Sequence, residues 1–536
     1  MQEDKEDKGR SGDVSKLVVY ATDVIIVLLS STLLSIPAES GNLWAFSFIA
    51  LVPLLLRMRD RSYWAIFLMA FFTFFLYFLL ALEWIDSYGI HWRFTMVFMK
   101  AFLYSPAFVI SFWLKRKYNS HFYATILPAL ITLIEYKQTL GFFAFPWMLL
   151  CHTQHANLPL IQICSITGSF GISFLIIYIN SSMGEIITGR HKPEIFKLAI
   201  GPALLVIFAG LYGAVTLSHP VPEGDIDVIL AQGSESTQRQ WSGDYTQRAL
   251  NNYRRVTADE IGAEIYGGDS GAEPDAERLI IWPETSIPDA FTRRDIRLQI
   301  VDLARRLNST IITGCMTYFP GESEVFSEDS VSSDEVDYDK YNSLVAFEPD
   351  GTIVPMYSKV HLVAFGEVIP LKDLITDWFP EYPWGDTDIS PGTGWYVTDT
   401  SIGKIGSVIC YESIFPQLTR IPVKDGAEIL VGASNTSWFL RTRASYQHGY
   451  MDVFRAIENR IWFCRAATTG VSSVIDPQGR VIVNSDLFVE EALTAKVGLR
   501  NGMTFYTRYG DWPVVLCGAY IMIIMLGVFL VREGEG

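Results

Sequence analysis

Ile405-Gly406-Ser407-Val408-Ile409-Cys410-Tyr411-Glu412 is the stretch around which this chain is organised. Positions 405–409 are apolar or small and three of them are β-branched, the pattern of a buried strand. The run then stops on a thiol, an aromatic ring and an acid. A strand end that presents Cys beside Glu is where a rigid scaffold can display a nucleophile. Free cysteine is also among the most buried residue types, so Cys410 alone could equally be core. Its meaning depends on what else the chain carries.

At 536 residues the chain is too long for one core, and two or more domains are expected. Half of it is hydrophobic (50%), and the apolar runs crowd into residues 1–217 and 511–536 while the middle holds most of the acids. A net charge of −16 leaves no basic stripe to neutralise phosphates, which excludes nucleic acid as a partner. The six cysteines show no CxxC or paired spacing, so neither a zinc site nor a disulfide framework is suggested. These features describe a membrane protein with a large water-exposed domain.

Residues 1–16 read as a charged tail, and no cleavable signal peptide follows, so the first apolar run should stay as an anchor. Membrane segments are expected near 18–37, 43–56, 63–82, 95–114, 123–140, 159–186, 195–217 and 511–531, about eight in all. Basic residues cluster in alternate loops: Arg57, Arg59 and Arg61, then Lys115, Arg116 and Lys117, then Arg190, Lys192 and Lys197. The positive-inside rule therefore places the N-terminus in the cytoplasm and the domain after residue 217 on the far side. The expected organisation is a tail (1–16), seven transmembrane helices (17–217), an extramembrane domain (218–505), and an eighth helix with a cytoplasmic C-terminus (506–536).

In the middle region Ile226–Ala231, Leu279–Trp282, Ser309–Gly314, Ser343–Glu348, Ile405–Cys410, Ile429–Ala433 and Gly470–Asp476 read as strands. Tyr245–Tyr266, Thr292–Leu307 and Ser445–Trp462 read as amphipathic helices between them. Such alternation indicates an α/β domain with a covered sheet. Asp350-Gly351 and Asp476-Pro477-Gln478-Gly479 signal hairpin turns, and the acidic stretch 321–339 reads as a solvated loop.

Three segments of this domain end in reactive side chains: Trp282-Pro283-Glu284, Tyr357-Ser358-Lys359 leading into the run to Glu367, and Cys410. Glu284 could merely cap a helix, and Lys359 could lie on a solvated face. Together the three resemble the Glu-Lys-Cys triad of the nitrilase (carbon–nitrogen hydrolase) superfamily. With the apolar segments around them, the chain resembles one branch, the bacterial apolipoprotein N-acyltransferases. Matching stretches include Phe145-Pro146-Trp147, Thr167-Gly168-Ser169-Phe170-Gly171, Lys359 through Glu367, Cys410-Tyr411-Glu412, Ser434-Asn435 and Trp438-Phe439. The run from Gln447-His448 through Arg455, Glu458 and Arg465 to Gly479-Arg480 fits as well. Leu440 departs from the pattern, which has Gly after Trp-Phe.

The resemblance implies a membrane helical bundle of about eight helices plus an αββα sandwich, in the bacterial inner membrane with the catalytic domain periplasmic. It implies that Glu284, Lys359 and Cys410 are catalytic. A thiol of pKa about 8.5 needs a base, here Glu284, and Lys359 would meet the charge growing on the ester oxygen. Glu367 and Glu412 would position Lys359 and the acceptor amine or assist proton transfer, with Tyr411 and Asn435 beside them. The acyl donor would be a glycerophospholipid, phosphatidylethanolamine in the family. The acceptor would be the N-terminal amine of the diacylglyceryl-cysteine of an apolipoprotein, with a Cys410 thioester between, and no cofactor or metal is implied. Trp438, Phe439, Phe415 and Trp384 are candidates for contacting lipid, and Trp378–Trp384 for a lid. Cys151-His152-Thr153-Gln154-His155 has ligand-like spacing but no fourth ligand, so a metal is not expected. The rival readings are a membrane-anchored amidase that gives the acyl group to water and a silent scaffold of the same fold.

Overall fold

Among the described residues, six helices are long and apolar enough to cross a bilayer: Lys16–Glu39, Tyr63–Ala81, Ile90–Tyr118, Ser169–Thr188, Leu198–Ser218 and Trp512–Leu530. The structure is a computed structural model that describes residues 3–118, 123–188, 193–222, 224–234, 245–262, 278–320, 338–369, 389–394 and 396–534. Two compact units divide the chain. One comprises 1–140, 144–218 and 511–536, and the other 141–143 and 219–510.

In the helical unit, two of the eight expected spans fall short. Trp44–Met58 and Tyr123–Lys137 are apolar but brief. The 15 residues of the second extend only about 22 Å at 1.5 Å each, against a hydrocarbon layer of roughly 30 Å. Both nevertheless return the chain from one end of the bundle to the other. Asp23, near the start of the first span, accepts from Arg57 Nε at 2.6 Å and Arg61 Nη2 at 2.9 Å. Arg116 reaches the carbonyls of Met58, Arg59 and Arg61, and Lys115 pairs with Glu185. The first two basic clusters therefore share one end of the bundle. The stretch 159–186, expected as one span, begins as two single turns, Leu158–Ile161 and Cys164–Thr167, before Ser169–Thr188.

Backbone that is not helical is tolerated at membrane depth only where protein supplies its partners. Lys100 does this for the Phe145-Pro146-Trp147 segment: its Nζ donates to Phe145 O at 3.1 Å, Trp147 O at 2.9 Å and Gln138 Oε1 at 2.6 Å. Glu135 Oε1 accepts from Leu150 N and Tyr104 OH, at 2.8 and 2.9 Å. In the ligand-like stretch, His152 Nδ1 accepts the Leu149 N–H at 3.1 Å, a local cap on its own turn.

The second unit is a four-layer sandwich. One sheet has the order β12-β1-β2-β3-β4-β5, from β1 (Ile226–Gln232), β2 (Arg278–Ile281), β3 (Ser309–Pro320), β4 (Tyr338–Phe347), β5 (Ile353–Ser358) and β12 (Glu491–Val497). The other has the order β11-β10-β9-β8-β7-β6, from β6 (Val397–Thr400), β7 (Gly403–Ile409), β8 (Ile429–Ser434), β9 (Trp462–Ala467), β10 (Ser473–Ile475) and β11 (Val481–Asn484). Side-chain alternation builds the layers. Val228, Leu230, Leu279 and Ile281 meet Ile405, Ile409, Val431 and Cys464 between the sheets, while Ile229, Ala231 and Ile280 face the helices Tyr245–Ile261 and Arg294–Leu307. Pro416–Lys424 and Ala444–Asn459 cover the second sheet.

The αββα class holds, with local differences. The helix expected over Ser445–Trp462 stops at Asn459, where Arg460 turns left-handed at φ 49, and β9 follows at once. The strand Gly470–Asp476 shrinks to Ser473–Ile475, and β5, β6, β9, β11 and β12 are additional. Most of the stretch 321–339 lies outside the described residues.

The buried Lys100 network gives an expectation for stability. Lys100→Met strands three acceptors in a nonpolar setting, which should cost about 2 kcal/mol. The check is the thermal midpoint of the detergent-solubilised protein, and an unchanged midpoint would count against the anchoring role.

Candidate active site

Four strand ends bring the chemistry together: β2 runs out to Glu284, β5 to Lys359, β7 to Cys410 and β8 to Asn435. Carboxyl ends of parallel strands are where α/β sheets expose polar groups, because the ladder that satisfies the main chain ceases there.

Lys359 lies at the centre, 1% exposed. Its Nζ donates to Glu367 Oε1 at 2.8 Å and to Glu284 Oε1 at 3.4 Å. Burial opposes the ammonium charge, but the carboxylates of Glu367 and Glu284 outweigh it and hold Lys359 above the ordinary lysine range. Lys359 is thus a fixed cation and cannot serve as a base at neutral pH. Asn342 ties the acids to each other, its Nδ2 donating to Glu284 Oε1 at 2.7 Å and Glu367 Oε1 at 3.3 Å. The second oxygen of each acid is also held: Glu284 Oε2 accepts Asn435 N at 2.5 Å, and Glu367 Oε2 accepts Val363 N at 2.9 Å.

Cys410 stands at the end of β7, half-buried, where a five-residue 3-10 turn, Cys410–Ile414, begins. Its φ is 51°, a left-handed conformation that costs a non-glycine residue about 1–3 kcal/mol and is found where function requires it. Burial first, then the Glu284 carboxylate, raise the thiol well above its usual range, against the lowering effect of Lys359. The thiol hydrogen-bonds Glu284. The resting group is therefore a protonated thiol aimed at its base.

Glu412 is fully buried and does not reach Lys359 Nζ by a hydrogen bond. Its Oε1 accepts Tyr357 OH at 2.7 Å and the N–H groups of Val360 and His361 at 2.9 Å each, while Oε2 accepts Ile409 N at 2.8 Å. It clamps the lysine loop to the nucleophile strand. Asn435 contributes its main-chain N–H, and its side chain is engaged by Ser437, Thr468 and Thr285.

Among the lipid-contact candidates, Phe415 is fully buried and packs edge-on to His361 and Tyr411, with centroids 4.5 and 5.2 Å away. Phe439 is also buried, whereas Trp438 is 53% exposed. Trp384, with all of Trp378–Trp384, lies outside the described residues. Asn342, Tyr357 and Gly314 belong to the constellation without having been singled out from sequence. Gly314 lets β3 pass under the Glu284 turn: an added Cβ would meet Thr285 N at 2.4 Å and Glu284 Cα at 2.6 Å.

The arrangement suits transfer of an acyl group to a thiol, with a base, a fixed cation and a nucleophile in contact. No group of three or more His, Cys, Asp or Glu residues among those described is placed to hold a metal ion.

Comparison with known proteins agrees in both units. Residues 30–182 match the family model for the apolipoprotein N-acyltransferase N-terminal domain, and residues 256–501 match that for carbon-nitrogen hydrolase. A protein named apolipoprotein N-acyltransferase from Geobacter metallireducens is 32% identical over 521 residues, covering 93% of this chain and 94% of the relative. One from Chlorobaculum tepidum is 26% identical, covering 94% and 96%. Among solved structures, Saccharomyces cerevisiae Nit3, a member of branch 10 of the nitrilase superfamily, aligns at a TM-score of 0.36 and 21% identity, covering 51% of this chain and 90% of Nit3.

Two outcomes are expected. Alkylation of Cys410 by iodoacetamide should keep accelerating from about pH 7 to about pH 9, since the thiol is held protonated, and Lys359→Met should push that rise higher. A rate already level at neutral pH would mean a preformed thiolate. Gly314→Ala should displace Glu284 and lower turnover about a hundredfold in a protein of unchanged circular dichroism, and full activity would show that the close approach is dispensable.

Proposed function

The chain belongs to the apolipoprotein N-acyltransferase family, and from that premise we propose that Cys410 carries the acyl group from donor to acceptor as a thioester. The protein is a membrane enzyme of lipoprotein N-acylation, with phospholipid and lipoprotein as its substrates. The observation that carries the proposal is the strained, partly accessible Cys410 beside the buried Glu284–Lys359 pair.

In the first step Glu284 takes the thiol proton as sulfur attacks the ester carbonyl of a glycerophospholipid. Phosphatidylethanolamine is the expected donor. Lys359 stabilises the oxyanion, a role that preorganised charge performs well in a water-poor site. The lysophospholipid oxygen leaves with the proton returned by Glu284. In the second step the α-amine of a diacylglyceryl-cysteine attacks the thioester, Glu284 removes the amine proton, and the thiol is restored. Glu367 holds Lys359 charged, and Glu412 holds the lysine loop and the cysteine turn in register. Splitting the reaction lets one bulky amphiphile leave before the next enters. The catalytic domain, 218–505 by the sequence reading and 219–510 as a compact unit, would face the periplasm from the inner membrane.

Phospholipid alone should label Cys410 stoichiometrically through a bond cleaved by neutral hydroxylamine, and a diacylated lipopeptide should discharge it. Cys410→Ala, Glu284→Ala and Lys359→Ala should each fail to label. Intersecting initial-rate lines with no trapped label would rule out the thioester, and free fatty acid as the only product would indicate a hydrolase. Reporters fused after residue 217 should lie outside the cytoplasm and those after Lys117 inside, and the reverse pattern would overturn the orientation.

A further inference from the structure

The helical unit contains a groove to which the proposed reaction assigns no task. It lies between the helices Lys16–Glu39 and Tyr63–Ala81 and encloses about 400 Å³. Its lining positions recur at steps of three and four in both helices, so one face of each makes a wall. The walls are aliphatic and aromatic except at one end, where Tyr20 and Asp23 stand. Val24, Leu28 and Phe72 on these walls are 57%, 49% and 49% exposed. The first helix is the less embedded of the two, with 22% of its apolar window buried against 44% for the second.

The polar end of the groove is cationic. Asp23 accepts from Arg57 Nε at 2.6 Å and from Arg61 Nη2 at 2.9 Å, and the Val19 carbonyl accepts from Arg57 Nη2 at 3.1 Å. One carboxylate between two guanidinium groups leaves a positive charge over. Arg57 and Arg61 each commit Nε and Nη2, while Nη1 of each makes no hydrogen bond with a described residue. Arg116 adds to the charge, its guanidinium 4.9 Å from the Tyr63 ring and bonded to the Arg61 carbonyl at 2.5 Å.

We propose that this groove holds an acyl chain of an anionic glycerophospholipid whose phosphate is met by Arg57 and Arg61. Length, direction and charge fit this occupant together. From Ala65 to Leu76 the groove extends about 16 Å at 1.5 Å per residue, close to one leaflet of a hydrocarbon layer roughly 30 Å thick. The chain runs inward from the cationic end, the direction of a lipid whose head lies at that face of the bilayer. Guanidinium groups donate two hydrogen bonds at once to phosphate, and basic pockets between membrane helices are suited to anionic head groups. The surplus charge favours a lipid with a net negative head over a zwitterionic one. A helix from a second copy would cover the walls and leave that charge unanswered. The seated lipid covers Val24, Leu28 and Phe72 and ties the first helix to the bundle. It is a resident lipid and not the acyl donor, since no groove residue belongs to the unit that holds Cys410.

The test uses the full-length protein, stripped of lipid in a neutral detergent. Phosphatidylglycerol should raise the thermal midpoint by about 3 °C or more, and phosphatidylcholine with the same chains by less than about half as much. Inorganic phosphate should leave the midpoint unchanged. Lipid bound at the catalytic site adds the same shift to every variant, so the inference is read from what two substitutions remove. Ala65→Phe fills the groove, and Arg57→Gln removes a phosphate contact while leaving Asp23 its pair with Arg61. Each should lose most of the phosphatidylglycerol shift. Native mass spectrometry should find one more phosphatidylglycerol on the wild type than on either variant, and if Ala65→Phe does not fold, Arg57→Gln decides. Equal shifts from the two lipids, an undiminished shift in the variants, or a shift of the same size from inorganic phosphate would each overturn the proposal. A dimer in lipid-free detergent that Ala65→Phe abolishes would also overturn it, by assigning the groove to a second copy.

Discussion

Everything in the catalytic unit depends on keeping one ammonium out of water. Lys359 is 1% exposed, and an ion in that position costs several kcal/mol unless it is paired and hydrogen-bonded. Its two partners come from distant places in the chain, Glu284 from the end of β2 and Glu367 from the turn after β5. Neither acid has a sufficient set of partners without the other elements. Glu284 needs Asn342 of β4 and the N–H of Asn435 after β8, and Glu367 needs the N–H of Val363. Removing any member leaves a buried charge underpaired, so the site assembles as a unit and links both sheets of the sandwich.

Strain is stored around this ion pair in a regular way. The loops after β2, β5, β7 and β8 each contain a non-glycine residue at positive φ: Thr285 at 47°, Phe365 at 63°, Cys410 at 51° and Leu440 at 52°. Each turns the chain sharply in a loop that follows one of the strands leading to the site. Glu412 does most for Cys410, since its carboxylate accepts main-chain N–H groups on both sides of the gap between β7 and the lysine loop. Leu440 is the position where related sequences lead one to expect glycine. At φ 52° and ψ −153° it occupies a region suited to glycine, and its side chain is 54% exposed beside the exposed Trp438.

Glu284, Lys359 and Cys410 were legible in the sequence because each follows an apolar run and the three together resemble the nitrilase triad. Asn342 and Gly314 were not, for a physical reason. Asn342 meets Glu284 across 58 residues of chain, and Gly314 matters only because a Cβ added there would come within 2.4 Å of the main-chain nitrogen of Thr285. Nothing local marks such positions. β9 was not read as a strand for a related cause: it carries Arg465, a charge inside a buried strand that is paired with Asp452 of the helix before it. The bundle misled in the opposite sense. The stretch 123–140 looked like a span, but the helix is 15 residues long and ends at Lys137, and its Glu135 serves the backbone at Leu150. Among the described residues, the first two basic clusters meet at one end of the bundle, where Asp23 pairs with Arg57 and Glu185 with Lys115.

The charge carried by the site explains why the thiol rests protonated. Glu284, Glu367 and Lys359 sum to one negative charge, and a resting thiolate would add a second beside it in a poorly solvated place. In the proposed attack the proton would move to Glu284 while the new charge appears on the carbonyl oxygen, so the total would stay at one. The negative charge moves from Glu284 to an oxyanion, and Lys359 is in contact with Glu284 at the start. A fixed cation that sees the charge at both ends of this movement needs no rearrangement of its own, which is the condition under which preorganised electrostatics are effective. The same accounting holds for amine attack on the thioester, with the amine proton in place of the thiol proton. One arrangement therefore serves both half-reactions, and the protein does not need separate acid and base sets for the two substrates.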